Sequence, residues 1–365
     1  NEFGLPLAVI GDYDRIEGGA VYLSAILRAA SLLLAPREYA KTLILEYGAD
    51  RPGDLRELVS IVRPNLAVVT AVGETPVHLE FYDSPAALAR EKQRLVEAVP
   101  RDGFVVLNAD DPAVAAMRER TKAFVTTFGF GEDADLRVVG FEHLVTPPDR
   151  GVAFKLVYKG SMVPVVLRGV FGRGQVYAAA AGAAVGLRFG MNLVTISEAL
   201  GRYRSLPGRT RLLSGVKNSE IIDDSYNAAP DSVREALALL AILPAERKVA
   251  VLGSMAELGA QTIHAHEALG GEVARVADLL VTVGDKARFF AEGARKAGCP
   301  KEKIISFDDS SIAARPVQEL LREGDLVLVK GSQSTRMERI VLECMAEPER
   351  AEELLVRQYG KWLEE

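Results

Sequence analysis

Cysteine is nearly missing: Cys299 and Cys344 are the only two in 365 residues, and they lie far apart in the chain. That excludes a disulfide framework and a cysteine-rich zinc site, and it suits a reducing, cytoplasmic compartment. No recognisable signal peptide opens the chain. No apolar run is long enough to cross a bilayer. The most apolar stretch, "AVYLSAILRAASLLLAPREYAK", is broken by Arg28 and then by Pro36-Arg37-Glu38, so it reads as an amphipathic helix without stable membrane insertion. A broad basic surface is also missing. The formal net charge of −6 argues against nonspecific nucleic-acid binding. Two catalytic signatures are absent as well. No Gly-x4-Gly-Lys-Ser/Thr phosphate loop and no Gly-x-Ser-x-Gly elbow occurs, and "GVFGRGQVYA" lacks the third glycine of a dinucleotide fingerprint.

What is present is ordinary globular composition, 48% hydrophobic and 26% charged, in a chain long enough for two or three domains. Short β-rich runs alternate with helical ones. "KTLILEYGA", "NLAVVTAVG", "GFVVLNADD" and "AFVTTFGF" predict strands, with helices over 54–62 and 85–98. The alternation predicts parallel strands with crossover helices. From about 135, "DLRVVGFEHLV", "GVAFKLVYKG" and "SMVPVVLRG" follow without a helix between them, which predicts an antiparallel flap turning at Lys159-Gly160. Helices over about 175–188 and 194–203 come next. "SLPGRTRLL" marks a boundary, after which "EIIDDS", "KVAVLGSM", "DLLVTVG", "KIISF" and "DLVLVKGS" predict a second, doubly wound sheet.

Chemistry-bearing residues gather at the predicted strand exits: Glu46, His78, Asn108 and Asp110, Asp223 and Asp224, and Lys330. Exits from two sheets suggest a cleft between domains. Glu46 and His78 could hold Mg²⁺, which takes few protein ligands and leaves positions for phosphate oxygens. Arg209 could clamp a phosphate as the domains close. Helix capping by the aspartates and a surface ion pair for Arg209 account for the same residues. Lys92 is odd. After the Ser84-Pro85 helix start, it falls within the apolar arc of Leu88, Leu95, Val96 and Val99. It either snorkels to the rim or sits in a site where its charge is neutralised. His264 and His266 are spaced wrongly for a metal pair on one helix face, leaving His266 as a ligand contact or a cap.

Several stretches, in order over nearly the whole chain, resemble the Mur ligase family. They are "NEFGLPLAVIG", "LEYGADRPGDL", "HLEFYDSPAALAREK", "VLNADD", "PGRTRLL", "IIDDSYNAAPDSV", "VLGSMAELG" with His266, and "LVKGSQSTRME". Within that family, "DDSYNAAPDS" and "LGSMAELG" are most similar to the branch that adds D-Ala-D-Ala to UDP-N-acetylmuramoyl-tripeptide. The resemblance implies a central, mostly parallel ATPase sheet with an antiparallel flap over 1–207, and a Rossmann-like doubly wound domain over 208–365. It implies a chain beginning inside the central domain, after the phosphate loop. It also implies ATP and Mg²⁺ as cofactors, and an acyl phosphate that the D-Ala-D-Ala amine attacks in peptidoglycan synthesis. By the same resemblance Glu46, His78 and a carbamylated Lys92 would serve the metal. Lys92, His78 and Arg209 would be catalytic. Asn108, Arg209 and Asp224 would hold ATP, and Asn227, Asp231 and His266 would face substrate. A monomer is expected. The sequence departs from the family where Gly-x-His-Asn and a later Asn are usual, with Gly174, Gln175 and Ala178 instead. The stretch 12–41 is longer than usual and predicts an extra helical element.

Overall fold

The computed structural model describes residues 4–11, 18–34, 39–73, 80–146 and 149–363. Two six-stranded sheets organise the chain. The first holds β1 (Leu66–Val69), β2 (Phe104–Asn108), β3 (Phe124–Gly129), β4 (Leu136–Leu144), β5 (Gly151–Tyr158) and β6 (Ser161–Arg168) in sequential order. β1 to β4 pair in parallel, and β4 to β6 turn antiparallel. Lys159 and Gly160 both take positive φ, as a tight two-residue hairpin requires. The second sheet holds β7 (Arg211–Ser214), β8 (Glu220–Asp224), β9 (Arg247–Gly253), β10 (Leu279–Val283), β11 (Ile304–Phe307) and β12 (Asp325–Lys330), in the order β11-β10-β9-β12-β8-β7. All its pairings are parallel except β7 with β8. The order reverses between β9 and β12, and in open α/β sheets ligands bind outside the strand tips at such a reversal.

The helices are α1 (Gly4–Ile10), α2 (Gly18–Leu34), α3 (Asp54–Ile61), α4 (Pro85–Glu97), α5 (Pro112–Ala115), α6 (Arg173–Arg188) and α7 (Leu193–Leu200), then α8 (Pro230–Ile242), α9 (Thr262–Val276), α10 (Arg288–Lys296), α11 (Ser310–Leu320), α12 (Glu338–Cys344) and α13 (Ala351–Leu354). The period-2 pattern explains how the strands bury both faces. Val105 and Leu107 point toward the side where Val96 and Val114 lie, whereas Val106 packs with Val176 and Ile196 on the other. Ile221 and Ile222 divide in the same way between the two cores of the second sheet. Each such side chain contributes about 1.5–3 kcal/mol by leaving water. α9 and α10 come close enough that a Cβ on Gly293 would meet Glu267 O at 2.0 Å, so this contact admits only glycine.

Three expectations need correction. "KTLILEYGA" forms no strand, because residues 41–50 have no ladder partner among the described residues; Leu45 and Tyr47 pack instead near Leu55 and Leu58. Glu46 therefore does not leave a strand tip. Asp223 and Asp224 lie within β8 rather than after it. The short β7 edge, which follows the linker, was not anticipated. α2 does form, but Leu23, Ile26 and Leu27 are each at least 60% exposed instead of facing a core.

Candidate functional site at the sheet boundary

Ser84 accepts a bond from Ala87 N and Pro85 stands in the first turn, which fixes the start of α4. Two turns further, Lys92 reaches the loop that follows β1. Its Nζ donates to Ala71 O at 2.8 Å, and burial depresses its pKa while Asp111 partly opposes the shift. Asp111, which the sequence reading did not single out, grips the same loop: Oδ2 accepts from Val72 N (2.7 Å) and Gly73 N (3.0 Å). Its other oxygen caps α5. The Asp111-Pro112 pair is a helix-start signal that could have revealed it. Held in this way, the loop crosses toward the second sheet, and a Cβ on Gly73 would lie 3.4 Å from Asp231 Oδ2. His78 lies outside the described residues, and Glu46 is exposed on the coil before α3.

Asn108 ends β2 in a buried position. It donates to Thr70 O (2.8 Å) and accepts from Asp110 N (3.0 Å). Asp110 accepts from Phe130 N, Gly131 N and the Tyr177 hydroxyl, whose pKa is raised to about 12, first by burial and then by this bond. At the departure from the family pattern, Gly174 N donates to Glu235 Oε2 of α8, and Gln175 accepts from the Tyr203 hydroxyl. Ala178 is exposed.

The linker 205–210 is built from β8. Asp223 Oδ2 accepts from Gly208 N (3.0 Å), and Oδ1 accepts from Ser225. Burial raises the Asp223 pKa to about 6, against the Ser225 bonds that lower it. Asp224 accepts from Thr210 N (2.9 Å) and from Lys330 Nζ (2.5 Å), and Lys330 also donates to Asn227 O. Gly208 has φ +68, and a Cβ there would stand 2.9 Å from Tyr226 N. The two carboxylates thus impose a bend that leaves Arg209 outside. Its guanidinium lies 3.9 Å over the Tyr226 ring, and its N–H groups find no hydrogen-bond or ion-pair partner among the described residues. Arg357 donates to Ser225 O and Tyr226 O, fixing that ring from behind.

Asn227 spends its side-chain oxygen on Ala228 N, and Asp231 pairs with Arg234. His266 does not reach the boundary. It is fully buried: Nε2 accepts from Met255 N (3.0 Å) and Nδ1 donates to Thr262 O (2.6 Å). Burial lowers its pKa to about 4, so the ring is neutral and both nitrogens are occupied. One of them holds the loop after β9. Among the described residues no three His, Cys, Asp or Glu side chains gather to hold a metal ion.

The loop that Lys92 and Asp111 hold meets Asp231 at Gly73, and Asp224, Lys330 and Asn227 are joined beside the linker that carries Arg209. Open α/β sheets whose loops meet in this way form a two-lobed protein with its ligand site at the junction. The chain belongs to the Mur ligase family. The Mur ligase middle domain matches residues 4–186, and the Mur ligase glutamate ligase domain matches residues 208–333. Among curated relatives, UDP-N-acetylmuramoyl-tripeptide--D-alanyl-D-alanine ligase of Mycobacterium leprae is 34% identical over 319 residues, covering 80% of this chain and 61% of that protein. The chain thus spans about three fifths of that relative's length. MurF from Acinetobacter baumannii superposes with a TM-score of 0.72 at 27% identity, covering 86% of this chain and 67% of its own. MurF ligase from Thermotoga maritima, solved in complex with ADP, gives 0.71 at 26% identity, covering 85% and 68%.

Proposed function

We propose that this chain supplies the central and C-terminal domains, residues 1–207 and 208–365, of an ATP-dependent ligase acting in peptidoglycan synthesis. The ligase joins D-Ala-D-Ala to UDP-N-acetylmuramoyl-tripeptide. The observation that carries the reading is Arg209. An arginine held flat on an aromatic ring, with its donors unspent at a domain boundary, suits a phosphate group. The similar proteins named for this reaction, and the ADP-bound relative, support it.

In this reading the tripeptide carboxylate attacks the γ-phosphate of ATP and releases ADP. The resulting acyl phosphate is attacked by the amine of D-Ala-D-Ala, which forms the amide and expels phosphate. The protein provides position and positive charge rather than a nucleophile. Arg209 orients phosphate oxygens. Asp224, fixed by Thr210 and Lys330, presents its remaining lone pairs to a ribose. Asn108 shapes the base end of the site. Asn227 and Asp231 face the acceptor, and His266 acts through the loop it holds. Mg²⁺ would neutralise phosphate charge, with Glu46, His78 and a carbamylated Lys92 as its protein ligands; an ion that keeps several waters needs few of them. The depressed pKa of Lys92 favours the free amine from which a carbamate forms. The nucleotide substrates place the reaction in the cytoplasm, and the chain acts as a monomer.

The test is phosphate release by the protein of the complete reading frame. Release that requires both the UDP-tripeptide and D-Ala-D-Ala supports the proposal. Release with a different acceptor, or indifference to D-Ala-D-Ala, refutes it.

A further inference from the structure

The segment that follows α13 packs on the linker that carries Arg209. A Cβ on Gly208 would stand 3.1 Å from Val356 Cγ1 and 2.9 Å from Tyr226 N, so tail, linker and Tyr226 meet there. Tyr226 joins the other two. Its N–H donates to Gly208 O at 3.1 Å, and its carbonyl accepts from Arg357 Nη2 at 2.5 Å. Arg357 Nη1 donates to Ser225 O as well, so one guanidinium fixes the peptide that bears the Tyr226 ring. Arg357 is itself tightly held. It is 7% exposed, has φ +59, and pairs at 3.0 Å with Glu338, the first residue of α12, which is 1% exposed. Glu338 also accepts from Arg336 Nε at 2.6 Å. A non-glycine residue persists in a left-handed conformation where its surroundings over-determine it, and this network of charged hydrogen bonds does so.

What the network reaches is one side chain. The backbone around Arg209 is already set, by Asp223 on Gly208 N and by the Ser205 hydroxyl on Arg209 O. The Arg209 guanidinium rests on the Tyr226 ring at 3.9 Å, and Arg357 stands 5.5 Å from the same ring, its charge offset by Glu338. A loose arginine samples many rotamers, whereas a stacked one is pre-organised and loses less freedom on meeting a ligand. The Mur ligase glutamate ligase domain matches residues 208–333, so Arg336, Glu338 and Arg357 all lie beyond it. We infer that the C-terminal tail belongs to the phosphate-binding apparatus: Arg357 sets Tyr226, and Tyr226 holds the Arg209 guanidinium in the attitude that meets a phosphate. Both are positioning residues, and the inference rests on the reading of Arg209 as a phosphate ligand.

The experiment is calorimetric titration of ATP into the protein of the complete reading frame, with a double-mutant cycle on Arg209 and Tyr226. Tyr226→Leu should weaken binding about three- to tenfold, and Tyr226→Phe, which keeps the ring, should restore it. Arg209→Ala with Tyr226→Leu should bind no more weakly than Arg209→Ala alone, because the ring acts only through the guanidinium. Arg357→Lys keeps the charge but loses the fork that serves Glu338, Ser225 and Tyr226 together, and should weaken binding as Tyr226→Leu does. The Tyr226 arms decide even if Arg357→Lys loosens the tail, since a ring 40% exposed can be truncated without unfolding the protein. Parental affinity in Tyr226→Leu would overturn the inference and leave the role of Arg209 standing. So would losses that multiply in the double variant, which would make Tyr226 a separate ligand contact. Parental affinity in Arg209→Ala would instead overturn the reading of Arg209, and the inference with it.

Discussion

Lys330→Met probes the device that holds the linker. The change keeps an unbranched stem and removes the ammonium. Asp224 Oδ2 and Asn227 O, at 2.5 and 3.0 Å from Nζ, lose their donor together. The pair's side chains are 2% and 9% exposed, so water has little room to substitute. Breaking a buried pair from one side costs about 3–5 kcal/mol, and about 4 kcal/mol is expected here. Asp224→Asn leaves one amide oxygen to serve both Thr210 and Lys330, and should cost about 3 kcal/mol. The double variant strands no charge. Its amide oxygen can accept from Thr210, so its loss should stay near 3 kcal/mol rather than the additive value of about 7, a coupling of about 4 kcal/mol. Urea unfolding followed by Trp362 fluorescence reads the second sheet, because that ring packs near Arg336 and Arg357. The comparison requires an unchanged m-value. Coupling below about 0.5 kcal/mol would mean the two groups do not act as a pair and would refute the reasoning.

Arg209→Ala should weaken triphosphate nucleotide binding by roughly ten- to hundredfold in the full-length protein, while the unfolding midpoint stays put; calorimetric titration measures the first and urea unfolding the second. His266 and Asp223 should set opposite pH slopes. The His266 pKa is depressed to about 4, so its contribution is complete above 6.5 and is lost as pH falls toward 4. The Asp223 pKa is raised to about 6, so its contribution is complete below 3.8 and is lost as pH rises through 6. Each amounts to about 3 kcal/mol, and between pH 4 and 6 they nearly cancel. His266→Asn should therefore give a protein that gains stability on acidification over that window, and Asp223→Asn one that loses it; parallel slopes would contradict the assignment. Glu91→Ala should cost about 1–3 kcal/mol, because the buried Leu55 N donates to Glu91 Oε1 at the start of α3. Hydrogen exchange should then quicken in the first turn of α3 and little elsewhere.

The sequence by itself determined most of the elements and how they alternate, though not the coil at 41–50 or the β7 edge. Period-2 apolar runs, Ser84-Pro85 as a helix start and Pro207-Gly208 as a boundary are local signals, and each was legible because a strand or cap depends on near neighbours. Motif order over the whole chain carried the family. What the tertiary structure alone decided were the relations between distant residues. "KTLILEYGA" has strand composition, but a strand requires a hydrogen-bonded partner, and none is present for it among the described residues. Lys92 looked misplaced on its helix until the Ala71 carbonyl came within reach, 21 positions away. His266 read as a ligand contact or a cap, and packing closed over it and took both of its nitrogens. Arg209 was named from its motif, but only the bend imposed by Asp223 and Asp224, with Tyr226 beneath it, explains why its charge finds no partner among the described residues. Propensity and spacing act along the chain. The fate of a polar group depends on what the fold brings against it, because burial makes every unpaired donor or charge costly and pairs it with whatever lies near.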